Sequence, residues 1–121
     1  LSGTVLATGF PFKATKHRAA HLNMLEGLMN QGVADFRRTG SAALDLAYVA
    51  ANRIDGYFEI VLKPWDCAAG DLIAREAGAI VCNFVGGTDY LKSGNVVAGP
   101  ARVVKEILNA LQPTLTEDLK G

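Results

Sequence analysis

The chain has 121 residues, half of them hydrophobic and a fifth charged, with 12 basic side chains set against 12 acidic ones. That is one domain's worth of sequence with a core of its own, and a zero formal net charge supplies no global field to steer nucleic acid or anionic membrane toward it. No apolar run approaches the roughly 20 residues that cross a bilayer, and Leu1-Ser2-Gly3 lacks the charge and hydrophobicity of an export signal, so a cytoplasmic protein is expected.

Cys67 and Cys82 are too few and too separate for a disulfide framework, and their apolar neighbours mark them as inert buried thiols. A chain that opens on Leu1 rather than Met is expected to be a fragment of a longer protein.

Thr4 to Phe10 alternates small, apolar and Thr residues and ends at Gly9-Phe10-Pro11, which predicts a strand stopped by a proline turn. From Lys13 to Asn30, Ala14, Ala20, Leu22, Leu25, Leu28 and Met29 recur at near-helical spacing until Gln31-Gly32. Val33 to Arg38 is predicted as a short strand. Gly40-Ser41 opens a second helix to about Asn52, Asp55-Gly56 turns into a strand over Tyr57 to Leu62, and a third helix runs from Pro64 to Ala77 before Gly78 stops it. Ala79 to Phe84 is a further strand, Gly86 to Asp89 a loop, and Asn95 to Gly99 the last strand. Pro100, whose missing N–H costs little at a helix start, opens a final helix through Val103, Val104, Ile107, Leu108 and Leu111. Strands alternating with helices predict a layered α/β domain over residues 1–112, with a mainly parallel or mixed sheet of about five strands flanked by helices. Residues 113–121 mix Pro, Thr and charges and are predicted to form a loosely packed tail.

Chemistry concentrates between Glu59 and Asp66. Glu59 ends a predicted strand and Asp66 sits in a helix's first turn, where unpaired N–H groups and the helix dipole favour an ionised carboxylate. The small Ala68, Ala69 and Gly70 let other groups approach. Ligands of open α/β sheets bind where strand carboxyl ends meet helix N-termini, so both carboxylates are expected to face one crevice.

The other candidates read more plainly. Gly40-Ser41-Ala42 at a strand-to-helix junction is, on its residues alone, an N-cap. Arg37 and Arg38 are adjacent in a strand and point to opposite faces, so only one reaches the crevice. His17 and His21 would share a helix face, but no third ligand lies in register and a surface pair is expected. Asp45 is expected to support the pocket from its helix, and Trp65 to pack.

The run from Trp65 to Gly78, Trp-Asp-x-Ala-Ala-Gly-x-Leu-Ile-x-x-Glu-Ala-Gly, resembles the C-terminal motif of the inositol monophosphatase family. The likeness extends from Thr4–Thr8 through Gly40–Ala43 to Asn95–Gly99, and Phe36 to Asp45 is most similar to a bacterial extragenic-suppressor branch of that family. The resemblance implies the C-terminal half of a magnesium-dependent phosphatase that hydrolyses inositol 1-phosphate to inositol and phosphate. In that frame Asp66 ligates Mg2+ and contacts substrate hydroxyls, Glu59 accepts hydrogen bonds from the inositol ring, Gly40, Ser41 and Ala42 line the substrate pocket, and Arg37 lies near substrate and subunit contact. Ser41 replaces the family's Thr and keeps the hydroxyl, while Ala79 stands where a second Gly is usual.

The family places its remaining metal ligands, in Asp-Pro-x-Asp-Gly-Thr and an upstream Glu, in an N-terminal lobe. Asn52-Arg53-Ile54-Asp55-Gly56 only mimics that motif. One carboxylate leaves magnesium mostly hydrated, so the chain by itself is expected to be inactive. The resemblance also implies a homodimer in the full-length protein. A rival expectation, taken from the suppressor branch, is a protein-interaction module that engages transcription antitermination or RNA-processing proteins.

Overall fold

The computed structural model describes residues 1–121. Its elements are β1 (Val5–Thr8), α1 (Arg18–Asn30), β2 (Asp35–Arg37), α2 (Ala42–Ala50), β3 (Gly56–Glu59), α3 (Pro64–Glu76), β4 (Ile80–Cys82), α4 (Tyr90–Ser93), β5 (Val96–Gly99) and α5 (Ala101–Leu111). Three single 3-10 turns accompany them, at Thr15–His17, Gln112–Thr114 and Glu117–Leu119.

One five-stranded sheet is ordered β2-β1-β3-β5-β4. β1 pairs in parallel with both β2 and β3. β5 runs antiparallel to both its neighbours, β3 and β4. The sheet is therefore mixed, with β5 alone reversed, as the alternation of strands and helices led one to expect.

Period-two alternation divides the core between the two faces of the sheet. Leu6, Phe58, Cys82 and Val97 turn to one side, where α1 and α5 cover them with Met24, Leu28, Val103, Val104, Ile107 and Leu111. Ala7, Tyr57, Val81, Val96 and Ala98 turn to the other, against Leu46 and Val49 of α2 and Cys67 and Ala74 of α3. The result is three layers, helix pair on sheet on helix pair. Both thiols are buried and free, and burial pushes each above its ordinary pKa. No helix is long and apolar enough to cross a membrane.

Two expectations need correction. Residues 113–121 are not loose: the last two 3-10 turns fold back, Leu119 is 0% exposed within the α1/α5 core, and Leu115 packs beside it. Two leucines four positions apart suffice as anchors where the surrounding composition suggests none. The histidines are not a surface pair either. The inward stripe of α1 and the turn before it is His17, Ala20, His21, Met24 and Leu28, whereas Leu22 and Met29 are exposed. His21, 1% exposed, lies with Nε2 3.1 Å from Thr8 Oγ1 and its ring against Phe10 and Phe58.

Candidate functional site

The carboxyl ends of β1, β2 and β3 point the same way, and the N-termini of α2 and α3 converge on them. Between them lies a cavity of about 410 Å³. Gly9 and Phe10 follow β1, Arg38 follows β2, Gly40 to Ala43 open α2, and Glu59, Leu62, Trp65 and Asp66 span the passage from β3 into α3. Glu59, Asp66, Gly40, Ser41 and Ala42, all expected at a site, thus share one cavity.

Glu59 is the last residue of β3 and half-buried. Burial pushes its carboxyl above the usual range, with a smaller push from Asp45 and Asp66; the Tyr57 hydrogen bond and the Arg38 charge pull the other way. The Tyr57 hydroxyl donates to Oε1 at 2.6 Å. Gly9 lies so close that a Cβ there would collide with the Glu59 carboxyl.

Asp66 is the third residue of α3, after Pro64 at the first helical position. Its Oδ2 accepts the backbone N–H of Lys63 at 3.1 Å, which satisfies one orphan donor of the helix start. The carboxylate is exposed at the cavity mouth. Between Glu59 and Asp66 the chain makes an unusual turn, with Val61 at φ 57, a region that β-branched residues avoid. Asn95 holds it, its Oδ1 accepting the Val61 N–H at 3.2 Å.

Ser41 is an N-cap: its Oγ accepts the Leu44 N–H at 3.2 Å. The hydroxyl proton remains free to donate toward the cavity. Gly40, at φ +82, occupies the left-handed region that glycine enters without steric cost. Behind it Thr39 Oγ1 donates to Asp45 Oδ1 at 2.8 Å, and burial raises the pKa of the Asp45 carboxyl while that bond lowers it. Asp45 supports the α2 start from within and does not line the cavity.

The arginines sort differently from the resemblance. Arg37 is 63% exposed and ion-paired with Asp35 at 3.0 Å, outside the cavity wall. Arg38 enters the wall instead and is the only cationic side chain there; its guanidinium lies 5.3 Å from the Phe12 ring centroid. β2 ends at Arg37, so Arg38 belongs to the loop that follows and reaches the wall from there. Trp65, expected to pack, is 77% exposed at the rim. Ala43 completes the Gly40–Ala43 segment in the wall, and Gly9, Phe10 and Leu62 are further wall residues that sequence reasoning did not reach. Gly9 and Phe10 stand one and two positions beyond the strand Val5–Thr8, a place the carboxyl-end rule marks.

No group of three or more His, Cys, Asp or Glu side chains converges to hold a metal ion. Asp66 offers one exposed carboxylate at the cavity mouth, at most a partial shell for a divalent cation.

A model of the inositol monophosphatase family matches residues 1–117. The chain belongs to that family. Nus factor SuhB of Haemophilus influenzae is 62% identical over 115 residues, covering 95% of this chain and 43% of the relative. Nus factor SuhB of Escherichia coli K12 is 58% identical over 120 residues, 99% of this chain and 45% of the relative. The crystal structure of extragenic suppressor protein suhB from Bartonella henselae superposes with a TM-score of 0.88 at 41% identity, over 95% of this chain and 43% of that one. Inositol monophosphatase from Anabaena superposes with a TM-score of 0.80 at 32% identity, over 93% and 44%. The chain thus spans less than half the length of the relatives it matches.

Proposed function

We propose that this chain is the substrate-binding half of a magnesium-dependent phosphatase that hydrolyses inositol phosphate monoesters, inositol 1-phosphate among them, to inositol and phosphate. The observation that carries this reading is the convergence of Glu59, Asp66 and the Gly40-Ser41-Ala42 turn on one cavity at the carboxyl ends of the parallel strands. Asp66 contributes one ligand to Mg2+, and the others come from the part of the full-length protein that this chain does not span. When bound, the ion supplies Lewis-acid polarisation of the phosphate and activation of water. Glu59 accepts hydrogen bonds from ring hydroxyls, Ser41 and the small residues beside it allow close approach of the ring, and Arg38 places positive charge beside an anionic substrate. The full-length protein is proposed to act as a homodimer.

The test is turnover of inositol 1-phosphate by the full-length protein and its Asp66→Asn variant across a Mg2+ titration. Even supporting groups around a metal cost 10–100-fold when removed, so loss of a direct ligand is expected to lower kcat/KM by on the order of a hundredfold and to raise the Mg2+ needed. Wild-type turnover at wild-type Mg2+ would overturn the assignment.

A second reading rests on the name Nus factor borne by relatives 58–62% identical to this chain. In it the full-length protein engages proteins of a transcription complex through its surface, independently of the cavity. Capture of such partners by the Asp66→Asn protein at wild-type strength supports that role, and loss of capture with loss of turnover counts against its independence.

A further inference from the structure

We infer that Tyr57 and Gly9 are positioning residues that fix the Glu59 carboxylate as a hydroxyl acceptor, so that the cavity favours polyhydroxylated phosphate esters over esters without a hydroxyl in reach. This rests on the reading of Glu59 given under Proposed function and adds the residues that make it selective.

Tyr57 and Glu59 are two positions apart on β3 and so project from the same face of the sheet. β3 is the central strand, with Tyr57 registered against Ala7 on one side and Ala98 on the other. The Tyr57 ring is 0% exposed within the core beneath α2 and α3, so its hydroxyl has one place to be. That place is 2.6 Å from Glu59 Oε1. Burial first, and the neighbouring Glu59 second, push the phenol above its ordinary pKa, which keeps it a donor whenever the carboxylate is charged. Glu59 has no other hydrogen-bond donor in the chain.

Gly9 leaves the room that the carboxyl occupies. A Cβ there would lie 2.5 Å from Oε1 and 2.6 Å from Oε2, so the carboxyl fills the space that a side chain at this position would need. With Oε1 engaged by the phenol and the carboxyl seated in the space that the missing Cβ of Gly9 leaves, the remaining lone pairs are held at the cavity wall. A rotating carboxylate would lose that placement, and orientation is what converts an acceptor into a selective one. The charged groups around Glu59 are Arg38, Asp45 and Asp66, with the Cys67 thiol also within its field. None of these donates a hydrogen bond to it, so the orienting role falls to Tyr57 and Gly9.

The test uses the full-length protein and two substrates, inositol 1-phosphate and p-nitrophenyl phosphate, which has no ring hydroxyl. The ratio of their kcat/KM values cancels the amount of folded enzyme, so a merely structural role for the tyrosine leaves it unmoved. Tyr57→Phe is expected to lower the ratio about tenfold, the worth of one charge-assisted hydrogen bond, chiefly by raising KM for the inositol ester. Glu59→Gln is expected to lower it at least as far, and the double variant no further than Glu59→Gln alone. If Glu59→Gln lowers the ratio while Tyr57→Phe leaves it at the wild-type value, the positioning role is overturned and the Glu59 reading survives. If Glu59→Gln itself leaves the ratio unchanged, the reading of Glu59 fails and this inference with it. Should the Tyr57 variant not fold, Gly9→Ala carries the same expectation and the same refutation, because Gly9 lies at the cavity wall rather than in the core.

Discussion

Burial acts on His21 and Glu59 in opposite senses, and the pH dependence of stability separates them. Burial lowers the His21 pKa below its ordinary value of about 6.5, and His17 moves the same way, by burial first and Lys16 second, against Asp118. Below that ordinary value the unfolded chain takes up protons that the folded chain refuses, so the stability held above about pH 6.5 declines as pH falls. Glu59 and Asp45, with raised values, act oppositely, because their folded forms hold protons longer and lose stability as pH rises through their titration. The urea midpoint of the chain is therefore expected to drop between about pH 7.5 and about pH 5.5, and His21→Gln to flatten most of that drop. An unchanged pH slope in the variant would show that His21 binds its proton equally well in the folded and unfolded states, against the effect of burial.

The same residues show what was legible. Asp66 and Glu59 were, because a carboxylate in a helix's first turn and another at a strand end are local statements that the fold only had to bring together. Which of Arg37 and Arg38 lines the cavity was not legible, since alternation leaves the choice open and the end of β2 at Arg37 puts Arg38 in the loop that reaches the wall. The buried histidines were missed because leucines at 22 and 25 outweigh histidines in any apolar pattern, whereas the stripe facing the sheet is set by where α1 enters after its 3-10 turn.

Helices α2 and α3 are held close by a missing side chain. A Cβ on Gly70 would lie 2.8 Å from Leu46 Cβ and 3.3 Å from Ala43 Cα, so α3 could not keep its place over α2. Gly70→Ala gains about 1 kcal/mol of helix propensity and incurs ~1–3 kcal/mol of overpacking against atoms fixed to the backbone. A net loss of ~1 kcal/mol of stability is expected, read as a lower urea midpoint; a raised midpoint would mean that the two helices slide apart freely. Because α2 and α3 carry Ser41 and Asp66 at their N-termini, the same contact sets the width of the cavity. The elements themselves were largely read from apolar periodicity and Gly or Pro punctuation. The four-residue α4, too short to show a period, and the tail, anchored by Leu115 and Leu119 alone, were not.

The whole molecule presents a cavity that is finished on one side. Glu59, Ser41 and Arg38 are the groups proposed to meet a hydroxylated anionic ester, but a single carboxylate binds magnesium weakly and leaves it mostly hydrated. The chain of 121 residues on its own is therefore expected to show no magnesium-dependent hydrolysis of inositol 1-phosphate above buffer, while the full-length protein turns it over. Turnover by the isolated chain at the full-length rate would place a complete catalytic centre within these residues. The most direct measurement is anomalous diffraction from crystals of the full-length protein soaked in Mn2+ as a stand-in for Mg2+. The expected result is a metal peak with an Asp66 carboxylate oxygen about 2.1 Å away, the distance magnesium-like ions demand; a fully coordinated metal peak whose ligands exclude Asp66 would contradict the account.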